Sequence, residues 1–134
     1  MTPTARTSIS AFPRSHEFAP STFVVTPADV AAYLAAIGDA GDYGDAVPPL
    51  AAVALGLAAL QEQIALPDGS LHTGQEVDHE ATVHVGETLT LRGRIAQRSE
   101  RQGYVITVLA FDIGASDITA IQARTTIMAP AEAQ

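Results

Sequence analysis

The chain has no cysteine and no lysine among its 134 residues. Without cysteine there is no disulfide, no thiolate metal site and no cysteine nucleophile. Its 7 basic residues are all arginines and face 15 acids, a formal net charge of −8. That balance argues against a nucleic-acid surface, where phosphates demand a basic patch. No apolar run reaches the ~20 residues that a bilayer span requires. The stretch Met1 to Ser15 carries two arginines and no apolar run of signal-peptide length. The expectation is a soluble cytoplasmic protein. Apolar residues make up 47% of the sequence, which places it among globular chains. Its length gives a single domain that buries about two thirds of its unfolded surface.

One stretch organises the rest. From Leu50 to Leu60 there is no polar side chain, and Leu50, Val53, Leu57 and Leu60 follow helical spacing with alanine and glycine between them. Pro48 and Pro49 suit a helix start, where the missing N–H would have no partner anyway. A helix apolar on every side is expected to be buried on every side, so the sequence predicts a core helix over about Pro49 to Gln63 and something that wraps it.

Residues 1–17, rich in Thr, Ser, Pro and Ala, read as a loose arm. Phe18 and Phe23–Val25 suggest a short strand. Thr26-Pro27-Ala28-Asp29 has the form of a helix start, and Val30, Tyr33, Leu34 and Ile37 give that helix one apolar face up to Gly38. The glycine- and aspartate-rich loop from Asp39 to Asp45 leads into the central helix. From Leu71 onward the period becomes alternating, which predicts strands over 71–84, 88–98, 104–113 and 118–128 separated by short turns. The expected organisation is an arm over 1–17, a single domain over 18–129 and a tail over 130–134. Clean alternation with short turns means an antiparallel sheet with one face on the core. One curved antiparallel sheet round one apolar helix is the α+β hot-dog fold.

Two segments resemble the MaoC-like hydratase/dehydratase family, in particular the branch related to the dehydratase domain of fungal-type fatty-acid synthase. Leu71-His72-Thr73-Gly74-Gln75, followed by Val85-Gly86-Glu87-Thr88-Leu89, is similar to that branch's L-H-G-x-Q strand and P-x-x-x-G-D-x-L turn. Ala120 to Thr126 is similar to its closing strand. The resemblance implies hydration or dehydration of acyl thioesters carried on coenzyme A or acyl-carrier protein, by an aspartate and a histidine in G-D-x-N-P-x-H before the central helix. Gly38-Asp39 matches the first two positions, but Gly44 stands where the histidine belongs; starting the motif at Asp42 puts Val47 there. Neither register supplies the base. In this branch one hot-dog unit often lacks the pair and supports a partner that has it. The resemblance therefore implies a half-site subunit, paired with itself or with a MaoC-like catalytic subunit.

Hydration of a conjugated double bond needs a base to activate water and an acid for the α-carbon. Asp39 could orient that water; the plainer reading is a loop carboxylate capping a turn. Asp42 and Asp45 read as solvated turn residues, with a weak cation loop as the alternative. His79 lies mid-strand and is the histidine best placed to reach a cleft, against the plainer reading of a hydrogen-bonded strand residue. His72 and His79, seven apart, fall on opposite faces of a regular strand. Arg92, Arg94 and Arg98 share one strand face and Arg124 lies on the last strand. These arginines either keep a solvated face or, for Arg92, Arg94 and Arg124, hold the phosphates of the carrier. Gly56 and the surrounding alanines allow close approach of a backbone or ligand. Nothing in the sequence calls for a metal or another cofactor. Two other functions remain open: a hot-dog thioesterase acting through Glu62 or Asp39, and a non-enzymatic thioester-binding or structural subunit.

Overall fold

Three long strands form the centre of the molecule: β5 (Thr88–Arg101), β6 (Tyr104–Ala115) and β7 (Ile118–Pro130). The full order in the chain is β1 (Thr7–Ser8), β2 (Ser21–Val24), α1 (Pro27–Ile37), α2 (Pro49–Gln61), β3 (Ile64–Ala65), β4 (Leu71–His79) and then this meander. The structure, a computed structural model, describes residues 6–131. The first five residues of the expected arm and the last three of the expected tail lie outside them.

Tight turns account for the meander. Gln102 and Gly103 both take positive φ, 52° and 83°, between β5 and β6, as a two-residue hairpin whose twist matches its strands demands. β2 and β4 add to the outer edges, giving a five-stranded antiparallel sheet in the order β2-β5-β6-β7-β4. This curved sheet with α2 seated on its inner face is the α+β hot-dog fold. Its inner face carries Leu89, Leu91, Ile95, Leu109, Phe111, Ile113, Ile121 and Ile127, all buried.

Helix α2 is seated by its smallest residue. A Cβ on Gly56 would come within 2.9 Å of Leu91 Cδ1 and 3.0 Å of Ile113 Cδ1, so only glycine lets the helix lie this close to β5 and β6. Leu60, 0% exposed, packs over Gly93. The helix is not buried on every side. Ala51, Ala52, Val53, Gly56 and Leu60 are buried, whereas Leu50 is 54% exposed and Ala54 and Ala58 face outward. A single sheet covers only one side of a helix, and among the described residues nothing covers Leu50, Ala54 and Ala58 on the other.

Helix α1 begins with a full capping box: the Asp29 N–H donates to Thr26 Oγ1 at 3.1 Å, and the Thr26 N–H donates to Asp29 Oδ2 at 2.9 Å. Gly38, at φ 71°, closes it in the left-handed conformation. The Thr26 backbone N–H and then its hydroxyl hold the Asp29 carboxyl below the usual aspartate range. A carboxylate with a depressed folded-state pKa adds stability above its unfolded pKa and loses it as pH falls through the folded value. We therefore expect first-turn amides of α1 to lose hydrogen-exchange protection below the ordinary carboxylate range. Asp29→Asn should remove that pH dependence; an unchanged profile would contradict the capping box.

Three register shifts interrupt the sheet, and two of them change which candidate residues share a face. Strand β5 shifts register between Ile95 and Gln97, so Arg98, paired with the buried Thr107, turns to the inner face while Arg92 and Arg94 stay on the outer one. The expected row Arg92, Arg94 and Arg98 is broken by that one extra residue. Strand β4 shifts between His72 and Gly74, which puts His72 and His79 on the same face instead of opposite ones. Their strand partners, Ile127 and Ile121, are still six residues apart, roughly 20 Å at ~3.3 Å per residue.

The arm differs from the loose segment expected over 1–17. Thr7 and Ser8 pair in parallel with Ile64 and Ala65 of β3, and Ile9 and Phe12 are 0% and 8% exposed. Phe12, His16 and Phe18 stack with ring centroids 4.7–4.9 Å apart. Few apolar residues mark this segment, but they are the ones that pack. At the other end, β7 runs to Pro130, and the Ala131 N–H donates to the Gly103 carbonyl at 2.8 Å. Among the described residues no helix is long and apolar enough to cross a membrane.

Candidate functional site

The loop between α1 and α2 carries Asp39, and its own backbone dictates the conformation. Asp39 Oδ1 accepts the Gly41 N–H at 2.7 Å, an Asx turn, and Oδ2 accepts the Tyr43 hydroxyl at 2.6 Å. The Tyr43 bond, then the Gly41 N–H, hold the Asp39 carboxyl below its usual range; the same bond pushes the Tyr43 phenol up, with the Asp39 charge adding to it. A carboxylate whose two oxygens are both occupied is a poor base and a good fixed charge. Gly44, at the position where the resemblance calls for histidine, takes φ 61°, and a Cβ there would meet nothing within 4 Å.

The loop is stitched to the turn before β5. The Val47 N–H donates to the Val83 carbonyl, and the Val85 N–H donates to the Asp45 carbonyl, both at 2.8 Å. This brings His84 Nδ1 to 3.5 Å from Asp45 Oδ1, while the His84 backbone N–H donates to Glu87 Oε1 at 2.7 Å. Both side chains stay well exposed, His84 at 47% and Asp45 at 83%, so this pair is loosely held. Asp42 caps its own turn through the Gly44 N–H at 2.9 Å. Tyr43 and His84 were not singled out from sequence. The Asp39–Tyr43 spacing of four in a glycine-rich loop is a faint signal for the first; the second depends on a tertiary pairing that no spacing reveals. Among the described residues no three His, Asp or Glu side chains gather as a metal ion requires.

The remaining candidates are distributed. His79 ends β4 opposite the buried Ile121, which puts it on the helix side of the sheet, exposed at the edge. No hydrogen bond or ion pair links it to Asp39. Arg92, Arg94 and Arg124 occupy the opposite, outer face. Arg92 and Arg94 line an open groove of about 390 Å³ with Glu17, Phe18 and Asp112. Arg94 and Arg124, level with each other across Ala110 in the sheet, line an adjoining groove of about 160 Å³ with Glu76 and Asp78. The three arginines are thus brought together, interleaved with acids that weaken their field. Gly56 is enclosed by Leu91 and Ile113 and serves the seat of the helix. Glu62, at the C-cap of α2, lines an open groove of about 530 Å³ with Arg6 and Gln63.

No protein-family model matches this sequence, and no curated protein matches it either. Solved structures do match in fold. An (R)-hydratase from A. caviae involved in PHA biosynthesis is similar at TM-score 0.72 and 19% identity, over 90% of this chain and 98% of that one. A 3R-hydroxyacyl-ACP dehydratase complex, HadBC, from Mycobacterium tuberculosis is similar at TM-score 0.71 and 19% identity, over 86% and 96%. A MaoC-like dehydratase from Rhodospirillum rubrum is similar at TM-score 0.72 and 12% identity, over 96% and 99%. These likenesses establish the hot-dog fold, and proteins named as hydratases and dehydratases are prominent among the neighbours.

Proposed function

We propose that the chain is a hot-dog subunit of an acyl-thioester hydratase or dehydratase that lacks the catalytic histidine and works beside a MaoC-like unit that supplies it. The observation that carries this reading is the loop before α2. It keeps an aspartate, Asp39, at the motif's acidic position, and it replaces the base by Gly44 in a left-handed turn. The neighbours named as hydratases and dehydratases support the reaction class, and HadBC, by name a complex, supports a paired arrangement. The fungal synthase-type branch belongs to this proposal as well, on the strength of the resemblance at Leu71–Gln75 and at Val85–Leu89.

The surfaces a partner would use are open. In the described residues β4 is bonded to β7 on one side only, and nothing covers Leu50, Ala54 and Ala58 of α2. An unpaired nine-residue edge strand is a natural place for a second sheet to join. The substrate is an acyl thioester on coenzyme A or acyl-carrier protein; Asp39 holds its own loop through Gly41 and Tyr43, His79 stands exposed at the β4 edge, and no cofactor takes part. The decisive assay is hydration of a crotonyl thioester by this chain, alone and together with a hot-dog chain carrying an intact G-D-x-N-P-x-H. Turnover that needs both supports the proposal; full turnover from this chain alone overturns it.

In the active pair, Arg92→Ala with Arg94→Ala should raise KM several-fold and leave kcat unchanged if these side chains hold the carrier's phosphates, because loss of uniform binding acts on KM alone. Steady-state kinetics at fixed ionic strength reads this directly. An unaltered KM would leave the outer arginines as a solvated face, consistent with the acids among them.

Glu62 favours a second reading. Its carboxylate lies beside an open groove at the end of α2, as a thioesterase would need. Release of free coenzyme A from an acyl-CoA, abolished by Glu62→Gln, would decide for it. A subunit that binds thioesters without transforming them would show neither activity.

A further inference from the structure

Past the bulge in β5, Arg98 leaves the solvated face and runs beneath the N-terminal arm, where its Nη2 donates to the Ile9 carbonyl at 3.1 Å. Around this one guanidinium, three buried polar atoms have no hydrogen-bond partner: Arg98 Nε, Thr107 Oγ1 and Ser10 Oγ. Thr107, 1% exposed, sits directly opposite Arg98 across the β5–β6 pair, and Ser10 follows the residue that Arg98 binds. Cross-strand neighbours stand ~5 Å apart, which places the Thr107 residue beside Arg98. Buried polar atoms are almost always satisfied. Of the three, only Nε–H is purely a donor, and it needs an acceptor; each hydroxyl can donate or accept.

A second positive charge stands nearby. Burial, then the Arg14 charge, lower the pKa of Arg98, and among the described residues neither guanidinium forms a salt bridge. Arg14 and Arg98 line the same open groove, about 420 Å³, with Ser15, Gln97 and Ser99. The groove follows β5 just past the bond from the Ile95 N–H to the His16 carbonyl at 2.9 Å. Ser15 turns the arm there with φ 65°, a conformation few non-glycine residues adopt. Two arginines without a carboxylate partner, an orphaned Nε–H on one of them and an accessible groove together describe a receptor for a compact, multiply charged acceptor.

We propose that this groove binds a phosphate group between Arg14 and Arg98. The guanidinium fork matches phosphate oxygens in pairs, and Ser15 and Ser99 line the same groove. The site lies toward the opposite end of β5 from the Asp39 loop, which is held near Val83 and Val85. It is distinct from the outer-face row of Arg92, Arg94 and Arg124. The bound group joins the arm to the sheet and fixes the arm's position.

The test uses the full chain and two probes, inorganic phosphate and glycerol phosphate, with sodium chloride as the ionic-strength control. A ligand that binds the folded state raises its melting temperature saturably. We expect phosphate to do so and chloride not to. A tighter saturation with glycerol phosphate would identify a phosphate monoester as the occupant, and a weaker one the free ion. Arg14→Gln, at an exposed position, should leave the phosphate-free melting temperature unchanged and weaken phosphate binding about tenfold or more, the scale expected when a charge-assisted bond is lost. Arg98→Gln, which also loses the bond to the Ile9 carbonyl, should weaken phosphate binding likewise where it folds; should it fail to fold, Arg14→Gln carries the test. No saturable shift at millimolar phosphate, or equal shifts in the parent and Arg14→Gln, would overturn the proposal and leave water alone among the orphaned donors.

Discussion

Leu60→Ala should cost about 2–5 kcal/mol of folding stability and lower the melting temperature by on the order of 10 °C. Leu60 is fully buried at the end of α2, and its two methyl groups occupy the space above Gly93, each 3.3 Å from where a Cβ on that glycine would lie. The hole left by truncation cannot close easily. Gly93 is pinned on both sides, its carbonyl accepting the Phe18 N–H at 2.8 Å and its strand position paired with Phe111. Gly93→Ala supplies an internal check. In the Leu60→Ala background its methyl group enters vacated space, so it should cost less there than in the parent, a non-additivity that urea unfolding can resolve. Leu50→Ala, on the exposed side of the same helix, should change the stability of a monomer by no more than about 0.5 kcal/mol. A loss at Leu50 as large as at Leu60 would mean that the outer side of the helix is covered in solution by another chain.

The isolated chain should hydrate a crotonyl thioester no faster than background, and adding a competent partner should raise the rate by ~10²–10⁴, the usual contribution of a positioned acid–base group. The expectation follows from Asp39: with Tyr43 and Gly41 on its two oxygens and its pKa lowered, it is a weak proton acceptor, and Gly44 offers no side chain in place of a histidine. Light scattering should first establish that the two chains associate. Within that pair, Asp39→Asn in this chain should alter turnover little if, as proposed, the working carboxylate belongs to the other subunit. Strong activity from the lone chain, abolished by His79→Ala, would place the base on β4. If His84→Ala abolished it instead, the base would lie in the loosely held Asp45–His84 pair.

Much of the fold was legible because its signals are periodic. The switch from helical to alternating spacing at Leu71, the Thr26–Asp29 cap and the apolar run from Leu50 to Leu60 predict elements close to those observed. Faces were less legible, since one extra residue in a strand leaves no mark on composition. The bulges near Ala96 and Thr73 moved Arg98 and His72 to faces that strict alternation denies them. The buried arm was missed for a related reason: Ile9 and Phe12 are isolated apolar residues whose packing depends on Ile64 and Phe18, far along the chain or round a turn. At the loop, the residue types pointed to Asp39, but its partner Tyr43 and the contact between Asp45 and His84 arise from the folded backbone.

The arm's pairing with β3 also bears on how the chain reaches this structure. The β5–β6–β7 meander is built from neighbours in sequence joined by two-residue turns, so it can form early. Thr7 with Ile64, and Ser21 with Leu91, must instead close long loops before any contact rewards the entropy lost. We therefore expect the amino-terminal segment to dock late, onto a sheet already assembled, so that a bulky fusion at that end should slow the last step of folding more than the first.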